Sequence, residues 1–87
     1  MSKVLNGYKG RYWCDVVKTD AGNTYIVDSG LVTKRNFETY VLRYDPEADK
    51  ITSGTHSYRA SYNTFDDMRA GHEKVCVNLE RYLNGRS

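Results

Sequence analysis

Cys14, His56, His72 and Cys76 are the residues of this chain best suited to metal chemistry. A Cys2His2 set binds zinc when its ligands come in close pairs such as C-x2-C or H-x3-H. Neither the two cysteines nor the two histidines have such a spacing, so chance composition explains the four residues better than a zinc finger does. The sequence therefore predicts no metal site and no cofactor.

His72 falls on the apolar stripe of a predicted helix. In a functional role it would be a ligand or a general base; in a structural role it would be a buried imidazole bonded to a backbone carbonyl or a tyrosine hydroxyl. No carboxylate or nucleophile stands near it at triad-like spacing. We therefore expect a packed imidazole, no catalytic residue and no enzyme.

Two acidic clusters have simpler explanations than metal binding. Asp66 and Asp67 suit the positive end of a helix dipole. Asp45, Glu47 and Asp49 alternate as calcium ligands do, but the later glycine and the distant bidentate glutamate are missing. The second cluster is predicted to be a turn.

Tyrosines interleaved with arginines are the strongest sign of an interaction surface. Rings beside arginines on a sheet stack single-stranded bases or anchor a protein partner, whereas cross-strand pairing in the core is the structural alternative. The predicted partner-binding residues are Tyr40, Arg43, Tyr44, Tyr58, Arg59 and Tyr62. We expect this surface on the sheet face that a single covering helix leaves open.

Four segments show the composition and alternation of strands. They are residues 11–17, 24–28, 37–44 and 56–62. The third is apolar on both faces, which predicts a central strand. Gly22 and Asn23 predict a turn after the first strand, and Leu31 and Val32 are expected to extend the second strand past a bulge at Gly30.

Residues 63–85 are predicted to form one amphipathic helix. Their apolar residues recur at steps of three and four: Phe65, Met68, His72, Val75, Cys76, Leu79, Tyr82 and Leu83. Asn63 or Thr64 would cap the start, and Gly85 suits the residue after the end. Gly71 weakens a helix interior, so we expect close approach of the helix to the sheet, over a tyrosine ring.

Length and composition predict a single domain, and the predicted strands and helix give its fold class. An 87-residue chain with 13% aromatic residues and a net charge of +2 predicts one α+β domain over residues 1–87, with about four antiparallel strands covered by one helix. The charge is far below that of an obligate nucleic-acid binder. The sequence contains no apolar run of about eighteen residues, so no membrane span is predicted. The N-terminus lacks a signal-peptide core, so we expect a cytoplasmic protein with reduced cysteines.

Two segments resemble a group of small uncharacterised bacteriophage proteins. The residues are 37–42, which read FETYVL, and 58–73, which read YRASYNTFDDMRAGHE. Those proteins show a strand like FETMVF and a helix that opens with a T-[WF]-x-[ED]-A-x-A-G-H-E run. The resemblance covers residues 31–77; Tyr40 and Met68 depart from it, and the hairpin of residues 11–28 has no counterpart. It implies a phage or prophage origin and names no catalytic residue.

Size, the predicted sheet surface and the resemblance favour a phage accessory protein that binds another protein. The expected partner is a host or phage protein, and the expected effect is inhibition of a host defence system or a host enzyme in the bacterial cytoplasm. A single-stranded nucleic-acid-binding module and a virion-associated structural protein are the alternatives.

Overall fold

A computed structural model describes residues 3–6, 13–33, 36–52 and 56–84 of the chain. Within these residues, six strands are followed by two helices. The strands are β1 (Lys3–Asn6), β2 (Trp13–Lys18), β3 (Thr24–Thr33), β4 (Asn36–Asp45), β5 (Lys50–Ile51) and β6 (Tyr58–Tyr62). The helices are α1 (Phe65–Val77) and α2 (Leu79–Asn84). The predicted α+β class is confirmed.

All strand pairs in the described part of the chain are antiparallel. The sheet order is β1-β2-β3-β4-β5, and β6 also pairs with β4. The predicted central position of β4 is therefore confirmed. The two short strands β1 and β5 were not predicted, because their few residues carry too little alternation to identify a strand.

The turns follow from short polar side chains and one glycine. Gly22 has a φ of 93° in the β2–β3 turn, where a side chain would be strained. Asp45 Oδ1 accepts hydrogen bonds from the backbone N–H groups of Glu47 and Ala48 at 3.0 and 3.3 Å, which confirms the predicted turn. Strand β3 does continue beyond Gly30, but the register shifts between Leu31 and Thr33.

The core lies between the sheet and the helices. Its buried members are Val17, Tyr25, Val27, Val41, Val75, Cys76 and Leu79. We call the sheet face that carries Val27 and Val41 the helix-side face, and the opposite face the second face. Ile26 on the second face is 0% exposed, so that face is buried at its centre too.

The predicted C-terminal helix that packs on the sheet is confirmed, but the helical segment is divided at Asn78 into α1 and α2. Thr64 caps α1 by accepting from the backbone N–H of Asp67 at 3.1 Å. Asn78 leaves helical geometry with φ −120° and ψ 36°. Its N–H donates to the carbonyl of Lys74 at 3.0 Å, and its own carbonyl accepts from the N–H of Arg81 at 2.9 Å. It therefore ends one helix and begins the next.

Gly85, the predicted residue after the helix, and Arg11, the predicted strand start, lie outside the described residues. Neither helix in the described part of the chain has the length and apolar character needed to cross a bilayer.

Candidate functional site

A chain of four buried polar side chains runs from β2 to β4 beneath α1. His72 Nε2 lies 2.7 Å from Asp15 Oδ2, and His72 Nδ1 lies 2.6 Å from Ser29 Oγ. Ser29 Oγ is in turn 2.6 Å from Thr39 Oγ1. We call these four residues the Asp15 network. Its hydrogen bonds satisfy groups that would be costly to bury alone.

Strand register and helix position together assemble this network. Asp15 pairs with Val27, and Ser29 pairs with Thr39, so alternation places all of them on the helix-side face. His72 enters from α1 and reaches both neighbouring strands. The expected packed imidazole is therefore found, but its partners are a carboxylate and a hydroxyl rather than a carbonyl or a tyrosine.

Gly71 brings the helix close enough for His72 to reach the sheet. A Cβ atom at this position would lie only 2.6 Å from Cζ of Tyr62, far inside ordinary contact distance. The predicted close approach over a tyrosine ring is thus confirmed. Burial raises the pKa of Tyr62.

The order Asp15–His72–Ser29 resembles that of a hydrolytic triad, but burial opposes that use. A nucleophilic hydroxyl must meet the carbonyl of a substrate, and Ser29 is 0% exposed. Its oxygen is also engaged by Thr39 as well as by His72. The geometry therefore supports a structural or ligand-binding network better than acyl transfer.

Cys76 adds a sulfur atom to the same cluster. Its Sγ lies 3.9 Å from Asp15 Oδ2, and the ligand atoms of Asp15, His72 and Cys76 all lie within 4.8 Å of one another. Burial, reinforced by the nearby Asp15 carboxylate, raises the pKa of the Cys76 thiol to about 12. These three residues bring oxygen, nitrogen and sulfur donors together.

The four candidates for zinc chemistry in the sequence do not assemble as one set. Cys14 alternates with Asp15 on β2 and pairs with Asp28 on the second face. His56 lies beside the Tyr40 ring, with centroids 5.4 Å apart. Among the described residues, only His72 and Cys76 of the four belong to the cluster.

A second buried carboxylate, Glu38, organises the opposite face of the sheet. Arg59 donates to it through Nε at 3.3 Å and Nη2 at 2.8 Å, and the Tyr40 hydroxyl also donates to it. Asn36 Nδ2 donates at 2.9 Å. We call these four residues the Glu38 cluster. The hydrogen bond from Arg59, followed by that from Tyr40, lowers the pKa of Glu38 to about 2.

The six predicted partner-binding residues do not share one face. Tyr40, Tyr44 and Arg59 lie on the second face, because they alternate with Val41 and Ala60 of the helix-side face. The other three are on the helix side: Arg43, Tyr58 and Tyr62.

Each helix-side residue has a packing partner there. The Tyr58 ring meets the Tyr82 ring at 5.1 Å, and Arg43 lies 5.6 Å above the Tyr25 ring. Only three of the six predicted partner-binding residues therefore lie on the second face, because strand alternation places the other three on the helix-side face. Their role in partner binding stays a prediction.

Aromatic residues also meet where α1 begins. The Phe65 ring lies 6.0 Å from Trp13 and 6.2 Å from Phe37, and Arg69 lies 5.8 Å above the Trp13 ring. Phe65 is 39% exposed. These rings come from β2, β4 and α1, so only the tertiary structure groups them.

Asp15 and the pairing of His72 with Cys76 were also missed. His72 and Cys76 are four positions apart. This spacing was a usable signal, because residues at i and i+4 lie on one helix face. Nothing local marks Asp15, which stands in a strand 57 residues before His72.

No protein-family model, curated protein or solved structure matches this chain.

Proposed function

We propose that this protein acts by binding another protein through the second face of its sheet, at Tyr40, Tyr44 and Arg59. The observation that carries the proposal is the pairing of Arg59 with a buried carboxylate. The Arg59 side chain is 49% exposed and the Glu38 side chain only 3%. An arginine that is held by a buried carboxylate and is still half exposed to solvent is a suitable anchor for a protein partner.

The Glu38 cluster orders this surface before any partner arrives. Two guanidinium nitrogens and the Tyr40 hydroxyl converge on one carboxylate. Side chains already held in one conformation lose less entropy when a complex forms. The Tyr44 hydroxyl donates to Asp49 in the same way, so both rings of this surface are held in place.

The same pairing favours a protein partner over single-stranded nucleic acid. Nucleic-acid affinity depends on cations that neutralise phosphates and release counterions. Glu38 already compensates the charge of Arg59. A paired arginine beside two tyrosines suits carbonyl groups and aromatic side chains of a protein better than a phosphate backbone.

The biological setting comes from the resemblance of residues 37–42 and 58–73 to small phage proteins. We propose a phage or prophage accessory protein that works in the cytoplasm of the host bacterium. Its partner would be a host or phage protein, with inhibition of a defence system or a host enzyme as the effect. A virion-associated role is the structural alternative.

Neighbouring residues on opposite faces give a matched test. Tyr44→Ala removes a ring from the second face, whereas Arg43→Ala removes an exposed side chain from the helix-side face. Immobilised wild-type, Tyr44→Ala and Arg43→Ala proteins are exposed to host lysate, and captured proteins are quantified by mass spectrometry. We expect a partner that wild type and Arg43→Ala retain and that Tyr44→Ala loses at least tenfold.

The candidate partner is then purified and its affinity measured against all three variants. Equal affinity of Tyr44→Ala and wild type would refute the proposed surface. Binding of labelled single-stranded oligonucleotides that weakens steeply with salt would favour the nucleic-acid alternative. Recovery of the protein in purified phage particles would favour the virion-associated structural role.

A further inference from the structure

We propose that Asp15, His72 and Cys76 form a zinc-binding site that joins α1 to β2. This site is independent of the proposed partner surface, because it lies on the helix-side face and buries all three ligands. The ligand atoms come from a helix and a strand, so a bound ion would connect two elements that are distant in sequence.

Helical spacing supplies two of the ligands. His72 and Cys76 are four residues apart in α1, so their side chains project from one face of the helix. Asp15 faces them from β2, within 3.9 Å of the sulfur and 2.7 Å of the imidazole nitrogen. All three ligand atoms lie within 4.8 Å of one another.

The two ligand distances that involve Asp15 are near those that tetrahedral zinc requires. Zinc bonds of about 2.0–2.3 Å hold nitrogen and oxygen ligands roughly 3.3 Å apart, and oxygen and sulfur ligands roughly 3.6 Å apart. The His72–Asp15 pair is at 2.7 Å and would open by about 0.6 Å to accept the ion. The Cys76–Asp15 pair at 3.9 Å would close by about 0.3 Å.

Ser29 orients the imidazole from behind. A histidine that binds zinc through one nitrogen usually donates its other N–H to an acceptor, which fixes the ring. Ser29 Oγ lies 2.6 Å from His72 Nδ1, and Thr39 Oγ1 lies 2.6 Å from Ser29 Oγ. With the ion on Nε2, Nδ1–H donates to Ser29, and the Ser29 hydroxyl donates to Thr39.

Charge balance suits a buried ion. The Cys76 thiol releases its proton to solvent on binding, so the thiolate and the Asp15 carboxylate supply two negative charges against Zn²⁺. The neutral imidazole keeps a single proton, on Nδ1. A neutral assembly of this kind avoids the cost of an unpaired buried charge.

The donor set favours zinc over calcium and magnesium. Calcium and magnesium prefer sites made of oxygen ligands. A thiolate and an imidazole beside one carboxylate match the mixed nitrogen, sulfur and oxygen sites that zinc occupies.

The chain contains a matched control for each of the two helical ligands, because it has two cysteines and two histidines. Cys14 and His56 lie outside the cluster within the described structure. Reduced full-length protein is titrated with Co²⁺ and then with Zn²⁺ in five forms: wild type, Cys76→Ser, His72→Gln, Cys14→Ser and His56→Gln. Thiolate-to-cobalt absorption, Trp13 fluorescence and metal content are recorded.

We expect one equivalent of Co²⁺ to give a thiolate charge-transfer band that Zn²⁺ displaces, in wild type, Cys14→Ser and His56→Gln. Cys76→Ser should lose the band, and His72→Gln should weaken binding at least 100-fold. The Trp13 ring lies 6.3 Å from the His72 ring, so its emission should change upon binding. A hundredfold excess of zinc over its dissociation constant should raise the Tm by roughly 10 °C or more.

Two further measurements keep the proposal testable if a ligand variant fails to fold. Ser29→Ala keeps all three ligands and should weaken zinc binding about 10- to 100-fold. X-ray absorption at the zinc edge of the wild-type complex should show one sulfur neighbour together with nitrogen and oxygen neighbours. Absence of stoichiometric binding, a sulfur-free zinc environment, or loss of binding in Cys14→Ser would each overturn the site.

Discussion

Asp15 and Glu38 are buried carboxylates on opposite faces of one sheet, and they are held by different kinds of partner. Glu38 meets Arg59, a cation that keeps its proton at any physiological pH. Asp15 meets an imidazole and a thiol instead, those of His72 and Cys76. The Glu38 cluster is therefore paired with a permanent cation, whereas the Asp15 network supplies ligands of the proposed zinc site.

The two carboxylate sites also differ in their exposure to solvent. Arg59 is half exposed and brings the Glu38 cluster to the protein surface. His72 and Ser29 are buried beneath α1. A buried carboxylate by itself therefore does not indicate a function, because its partners set what it can do. Four perturbations test this difference.

The largest effect is expected for His72→Ala with metal removed by a chelator. The substitution leaves the Asp15 carboxylate and the Ser29 hydroxyl buried without the imidazole and opens a cavity. Unfolding in urea should show a loss of about 3–5 kcal/mol. The control His56→Ala, at an exposed position, should change stability by less than about 0.5 kcal/mol. Equal losses in the two variants would show that the network adds no stability.

A smaller loss is expected for Gly71→Ala, which acts on the helix-side face alone. The added Cβ meets the Tyr62 ring and should cost about 1–3 kcal/mol in urea unfolding. Tyr62→Ala in the same chain should relieve this clash, so the double variant should lose less than the sum of the two single losses. Additive losses would mean that the helix approaches the sheet less closely than the structure shows.

Arg59→Ala should destabilise the protein less than either helix-side change. Water reaches the half-exposed guanidinium, and Tyr40 and Asn36 still donate to Glu38 after it is removed. The Tm of Arg59→Ala, compared with that of Arg43→Ala at the same pH, measures the loss. A drop in Tm as large as that of His72→Ala would contradict the distinction between the two carboxylates.

Protonation of Glu38 is the mildest perturbation. Its pKa in the folded protein is about 2, well below the ordinary 4.5, so its contribution to stability is present above pH 4.5 and is lost as the pH falls through about 2. The Tm difference between wild type and Arg59→Ala should therefore shrink over this range. A difference that stays constant down to pH 2 would show that Arg59 does not lower the pKa of Glu38.

Strand alternation predicts only part of the partner surface. Tyr40, Tyr44 and Tyr58 were correctly placed in strands, since their segments have strand composition. Which of them face the helix was not predictable, because alternation defines two faces without saying which one is covered. The register of β6 against β4 pairs Tyr58 with Val41, and that pairing places Tyr58 on the helix-side face.

The division of the helix at Asn78 had no decisive local signal. The apolar stripe continues through Leu79, Tyr82 and Leu83, so its period alone predicts an uninterrupted helix. Asparagine caps helices well but also occurs within them. The break at Asn78 still leaves Leu79 fully buried in the core.

The α+β class, the central strand β4, the turns at Gly22 and Asp45, and the close contact at Gly71 are all predictable from the amino-acid sequence. Those features depend on local periodicity and on residues with special backbone behaviour. The Asp15 network and the Glu38 cluster are visible only in the folded structure. Asp15 and His72 are 57 residues apart, and Glu38 and Arg59 are 21 apart. Pairings across such separations depend on strand register and helix docking, which no local pattern of residues specifies.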